Sequence, residues 1–164
     1  MKKLSEEFFA RNSKDVARDI MGRILVRNLY EDNVLSGIIT ETWPYHGVGK
    51  GTKNKEGLFY PPGKIYIMPY RVGVFLNIST DKEGEPSCVF IRKVHIIGET
   101  EKESELGPIE LCKSLHIDRS FDGKSIYGDD LWIEGPSINS SEIGYVRKDK
   151  GLPPNCLGRF YIKL

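Results

Sequence analysis

The stretch that most constrains the fold runs from Gly37 to Gly47, Gly-Ile-Ile-Thr-Glu-Thr-Trp-Pro-Tyr-His-Gly. Its first half alternates β-branched and polar residues, the pattern of a strand with one buried face. Pro44 removes a backbone donor, so the strand must end, bulge or reach a sheet edge there. Glu41, Trp43 and Tyr45 are spaced by two, and a regular strand points all three to one face. A carboxylate beside an indole and a phenol suits holding a flat ligand next to a proton acceptor. The same pattern also fits an amphipathic strand end with aromatics in the core and Glu41 at its rim.

The flanking sequence places this strand in a mainly antiparallel sheet. Leu4 to Met21 reads as a broken helical segment, with Asn12 or Ser13 capping its second part and Gly22 ending it. Arg23 to Tyr30 is β-rich, Glu31 to Asn33 is a turn, and Val34 to Thr42 returns as the second arm of a hairpin. Val48 to Gly57 is rich in Gly and Lys and reads as an exposed loop, with phosphate contact as its functional alternative. Lys64 to Met68 and Val72 to Ser79 are strand-like, interrupted at Pro69-Tyr70-Arg71. Ser87 to Ile97 is a strongly patterned strand, and Pro108 opens a short helix that turns Leu111 and Leu115 inward, with Cys112 a further candidate for that face. Asp130 to Glu134 and Arg159 to Leu164 are shorter strands. The expectation is an α+β fold spanning 1–164 as one domain: a mainly antiparallel curved sheet of seven or so strands with a few short helices.

Composition bounds the function classes. A chain of 164 residues with 39% hydrophobic and 29% charged residues can build a core without disulfide or metal support. No apolar run approaches the roughly 20 residues needed to cross a bilayer, and the N-terminus enters an acidic helical pattern without a signal-peptide core. A cytoplasmic monomer is expected, nucleoid-associated if it binds DNA. The net charge of +1 neither demands nor excludes a basic face. Cys88, Cys112 and Cys156 form no CxxC pair, and His46, His95 and His116 have no paired ligand spacing, so no metal and no cofactor are expected.

The order of short motifs along the chain resembles the alkyladenine (3-methyladenine) DNA glycosylase family. The resemblance runs through Phe8-Phe9, Val16-Ala17-Arg18, Leu25-Val26-Arg27, Gly37 to Tyr45, Leu58-Phe59, Pro62-Gly63, Tyr66, Asn77, Val89 to Arg92, Gly107-Pro108, Leu111-Cys112 and Arg159-Phe160-Tyr161. It implies base-excision repair of double-stranded DNA without metal or cofactor. A damaged purine, alkylated or deaminated, is flipped into a pocket and displaced from its sugar by an activated water. On this resemblance Tyr45 stacks on the flipped base, Tyr70 is the intercalating wedge, Asn77 opposes guanine's exocyclic amine, and Arg92 lies beside the catalytic water.

The sequence also departs from that family. Trp43 stands where the family carries its general-base glutamate, and tryptophan cannot accept a proton from water. Met68 replaces a second pocket tyrosine, and Glu110 and Glu142 stand at positions of basic residues. Glu41, one side-chain repeat along the same strand face, is then the candidate catalytic carboxylate, with His46 as a second candidate base. The alternative is a catalytically inactive module that binds purine lesions or nucleic acid on the same fold, and a third reading reuses the scaffold for protein interaction.

Overall fold

The computed structural model describes residues 1–49, 56–98, 105–147 and 151–164. Two short helices open the chain, α1 (Glu6–Phe9) and α2 (Ser13–Asp19). The Asn12 side chain accepts from the Asp15 amide and caps α2, satisfying one of the donors a helix leaves unpaired. Gly22 then turns the chain at φ +77°, and a Cβ there would lie 2.5 Å from Ile138. A glycine alone meets both conditions without strain.

Nine strands follow among the described residues: β1 (Ile24–Tyr30), β2 (Asn33–His46), β3 (Ile65–Tyr70), β4 (Gly73–Ser79), β5 (Ser87–Ile97), β6 (Glu105–Leu106), β7 (Leu131–Glu134), β8 (Gly144–Arg147) and β9 (Gly158–Tyr161). A third helix, α3 (Pro108–Ser114), lies between β6 and β7. The main sheet order is β3-β4-β5-β2-β1-β7, with β6 on β5 and the β8–β9 hairpin joined to β2. Every strand pairing is antiparallel, as the α+β reading expects.

Strand boundaries and number differ from the sequence reading, and β9 ends at Tyr161 and not at Leu164. β2 does not stop at Thr42 but pairs with β5 as far as His46, with register shifts on either side of Glu41. Pro44 is tolerated because its carbonyl, and hence its missing donor, faces the Leu157 side instead of the β5 ladder. β3 likewise runs through Pro69 to Tyr70, since it is the edge strand of the sheet. β6 and β8 were not anticipated. The lysine-rich loop partly, and the acidic connector from Glu99 almost wholly, lie outside the described residues.

Period-two alternation sorts the central strands into two faces. Ile39, Ile65, Ile67, Val74, Leu76, Ile78, Val89 and Ile91 enter the main core with Val16, Ala17, Ile20, Leu111 and Leu115 of the helical layer. Thr42 joins that side, its hydroxyl donating to the Ala17 carbonyl at 2.8 Å. The intervening residues face the other way. Tyr66 and Cys88 form a second buried cluster with Leu58, and Tyr45, Tyr60 and Met68 pack against it. Burial of the first face holds the fold together; the second face is left for a cavity.

Candidate active site

A cavity of about 450 Å³ opens on that second face. Four adjacent strands line it at alternate positions: Trp43 and Tyr45 from β2, Tyr66 and Met68 from β3, Phe75 and Asn77 from β4, and Cys88, Phe90 and Arg92 from β5. Leu58, Pro108 and the 153–155 segment complete the wall. The size and the mix of aromatic surface with a few polar atoms suit one small planar ligand.

The aromatic rings form a continuous run. Trp43 meets Phe90 edge-on at 5.7 Å, Phe90 meets Phe75 at 5.0 Å, and Phe75 stacks on Tyr70 at 4.6 Å and 21°. Tyr70 is 47% exposed and Val72 73% exposed, and both sit at the tip of the β3–β4 hairpin, where Tyr70 pairs with Gly73. The run therefore joins the cavity to an exposed aromatic tip. Tyr70 itself lies outside the cavity wall.

Tyr45 is held between two cysteines, opposite Cys88 on β5 and bridged to Cys156 on its other side. Burial, reinforced by Cys156 and Cys88, pushes its phenol well above the ordinary tyrosine value, so it stays protonated and presents a neutral π face. Burial also lifts the Cys88 thiol to about 12, which leaves it a poor nucleophile at neutral pH. Arg92 places its guanidinium 5.3 Å from the centre of the Trp43 ring. Among the described residues it has no carboxylate partner.

The two proposed bases sit elsewhere. Glu41 is 5% exposed and does not line the cavity; it borders a separate polar hollow with Lys93, Glu105 and Arg159. Its Oε2 accepts from Trp43 Nε1 at 3.0 Å, and its Oε1 faces Arg159 at 3.4 Å. Glu41 thus reaches the cavity only through the indole. The His46 side chain is 48% exposed and lies 3.9 Å from Glu85, outside the lining. Among the described lining residues there is no carboxylate and no imidazole. No group of three or more His, Cys, Asp and Glu among the described residues is placed to hold a metal ion, and no described helix is long and apolar enough to cross a membrane.

Tyr45, Asn77 and Arg92 are thus brought together, with Tyr70 at the rim and Glu41 behind Trp43. Sequence reasoning gave no role to Tyr66, Phe75, Cys88 or Phe90. The signal was present, because Phe75 and Asn77, and Cys88, Phe90 and Arg92, alternate along their strands.

Residues 7–149 match the model of a family described as methylpurine-DNA glycosylase (MPG). The chain belongs to this family. A relative from Clostridioides difficile that carries the provisional name 3-methyladenine DNA glycosylase is 35% identical over 159 residues, covering 79% of this chain and 78% of its own length. The DNA-3-methyladenine glycosylases of mouse and human are each 30% identical over 175 residues, covering 88% of this chain. This chain spans 52% of the mouse protein and 58% of the human one. The methylpurine-DNA glycosylases are DNA glycosylases and hence hydrolases, and an aromatic cavity beside an exposed hairpin tip is chemically suited to such work. The walls can stack on a planar base, Asn77 and Arg92 can meet its polar edge or its backbone, and the tip can enter a duplex.

Proposed function

We propose that the protein is a base-excision repair enzyme that hydrolyses the N-glycosidic bond of a damaged purine flipped out of double-stranded DNA. The observation that carries this reading is the aromatic run from Trp43 in the cavity to Tyr70 at the exposed hairpin tip, with Arg92, which has no carboxylate partner among the described residues, beside it. A base must leave the stack before its glycosidic bond is accessible. Tyr70 enters the vacated space, while Tyr45 and its aromatic neighbours hold the extruded base by stacking, worth about 1–3 kcal/mol per base.

Bond cleavage is then an ionisation at the sugar. The C1′–N bond breaks and its electron pair leaves with the base. Water bonds to C1′ and gives up its proton to bulk solvent or, where the base leaves as an anion, to the departing base. An N-alkylated purine carries a positive charge already and departs as a neutral molecule, so it needs little help from an acid. Arg92 donates to the oxygen of the attacking water, and Glu41 acts from behind the indole, holding Trp43 and stabilising positive charge on the sugar over a longer distance.

Single-turnover assays on duplexes carrying one N-alkylated purine or one hypoxanthine test the reading. Release above the uncatalysed rate is expected, faster for the alkylated base. Binding without release would make the protein a recognition module, and absence of both would remove it from DNA repair.

A further inference from the structure

Tyr66 is the residue whose state in the free protein is unexplained. It is 2% exposed, it lines the cavity, and its buried hydroxyl has no hydrogen-bond partner among the described residues. An unpaired hydroxyl away from water is costly. Other tyrosines here escape that cost: the Tyr60 hydroxyl donates to Asp122 at 2.7 Å and that of Tyr145 to the Leu157 carbonyl at 3.0 Å. Four further buried polar atoms lack a partner, on Arg11, Arg27, Asn28 and Thr40, but none of those residues lines the cavity.

The ring is not free to swing toward a partner. It lies against Gly57, where a Cβ would come within 2.2 Å of Tyr66 Cδ1. Its own backbone carbonyl accepts from Asn77 Nδ2 at 3.3 Å, and Tyr66 and Asn77 are directly opposed on β3 and β4. That bond takes one hydrogen of the Asn77 amide nitrogen, and Asn77, which lines the cavity, keeps its second amide hydrogen and its Oδ1 acceptor. The sheet therefore presents a hydroxyl donor from one strand and an amide acceptor from the next. Burial also lifts the Tyr66 phenol to about 12, so it keeps its proton throughout the neutral range.

We propose that the Tyr66 hydroxyl donates its hydrogen to a ring nitrogen or carbonyl oxygen of the purine in the cavity and thereby selects which damaged bases are held. This rests on the reading of the cavity as a base pocket. The bond it forms replaces an unsatisfied group with a satisfied one, so the gain falls on the complex and the cost on the free protein. A ligand without an acceptor at that edge leaves the hydroxyl unpaired and is disfavoured.

Tyr66→Phe separates this role from a structural one, with Tyr60→Phe as the contrasting variant. Thermal unfolding without DNA is measured alongside equilibrium binding and single-turnover release on duplexes carrying one hypoxanthine or one N-alkylated purine. Tyr66→Phe is expected to unfold at an equal or higher temperature while losing roughly tenfold in binding or release on at least one lesion. Tyr60→Phe is expected to unfold at a lower temperature and to change release less than about twofold. A lowered unfolding temperature for Tyr66→Phe would show the hydroxyl satisfied in the free protein and overturn the proposal. So would unchanged binding and release on both lesions in an otherwise active protein, which leaves the glycosylase reading standing. A wild-type protein that neither prefers a lesion duplex nor releases a base overturns that reading and this proposal with it.

Discussion

On β2 the Glu41 carboxylate is saturated: it takes the Trp43 indole on one oxygen and Arg159 on the other. At the Tyr45 end of the same strand the neighbouring polar groups are left open. Among the described residues the Tyr66 hydroxyl has no partner, Asn77 spends only one amide hydrogen, and Arg92 meets an aromatic ring instead of an acid. The two corners share one sheet face, are joined through Trp43, and do opposite things. Saturated groups fix a shape and lose nothing when no ligand is present. Unsaturated ones make the free protein less stable and become useful only when something fills the space. Substitutions at the first corner should therefore be read in stability, and those at the second in function.

The largest expected effect tests the open corner. Tyr45→Ala removes a stacking wall and should lower single-turnover release by about one to two orders of magnitude. Its cost to the unfolding temperature should be smaller than that of truncating a residue of the main core. A Tyr45→Ala protein that excises as well as the wild type would show that the base lies elsewhere.

Next comes the saturated corner. Glu41→Ala orphans the indole nitrogen and leaves Arg159 uncompensated. Because the Arg159 side chain is 40% exposed, the loss should be about 2 kcal/mol, below that of a fully buried pair. Glu41→Gln keeps an acceptor for Trp43 and should cost about half as much, with release falling less than tenfold. If Glu41→Gln instead abolishes release at near-normal stability, the carboxylate acts chemically and the contrast between the two corners fails.

Gly57→Ala links the cavity to its support. The added methyl would meet the Tyr66 ring, a rigid buried group, and overpacking of this kind costs about 1–3 kcal/mol. Excision should fall as well, because Tyr66 is displaced. A variant that loses neither stability nor activity would show that the ring has room to move.

How much of this was legible depended on whether the deciding contact is local. β5 could be read to the residue, because Ser87 to Ile97 is rich in β-branched and other apolar residues and its first five residues are all buried. β8 could not, since Gly144-Tyr-Val-Arg147 is short and half exposed, and its partner β9 lies more than ten residues away. Pro69 was taken as a break because the sequence does not show which strand lies at the edge. Tyr45, Asn77 and Arg92 were found through the family resemblance, and their convergence follows from the register of β2, β4 and β5. The bond between Glu41 and Trp43 and the unpaired Tyr66 hydroxyl are side-chain facts. A sequence carries no record of which hydrogen bonds are left unmade.

The smallest expected effects concern pH, where Asp19 on α2, another saturated carboxylate, and Tyr66 in the open corner should differ in sign. Burial would raise the Asp19 carboxyl, but hydrogen bonds from Arg18 and Arg11 outweigh it and hold the group below its ordinary value. A carboxyl lowered in the folded state adds stability that is present above its unfolded value near 4 and is lost as pH falls through the folded one. Asp19 and both arginines are partly exposed, so screening should keep the effect under about 1 kcal/mol. Asp19→Asn should flatten the acid limb of a stability curve by that amount. Tyr66 behaves in the opposite sense: burial disfavours its ionised form, so stability is unaffected by this group below the unfolded value near 10 and falls as pH rises from there through about 12. Tyr66→Phe should therefore flatten the alkaline limb and leave the acid limb alone. An alkaline limb unchanged by that substitution would mean that the phenol ionises as freely in the folded protein as in the unfolded one, and that the cavity is wetter at Tyr66 than its burial implies.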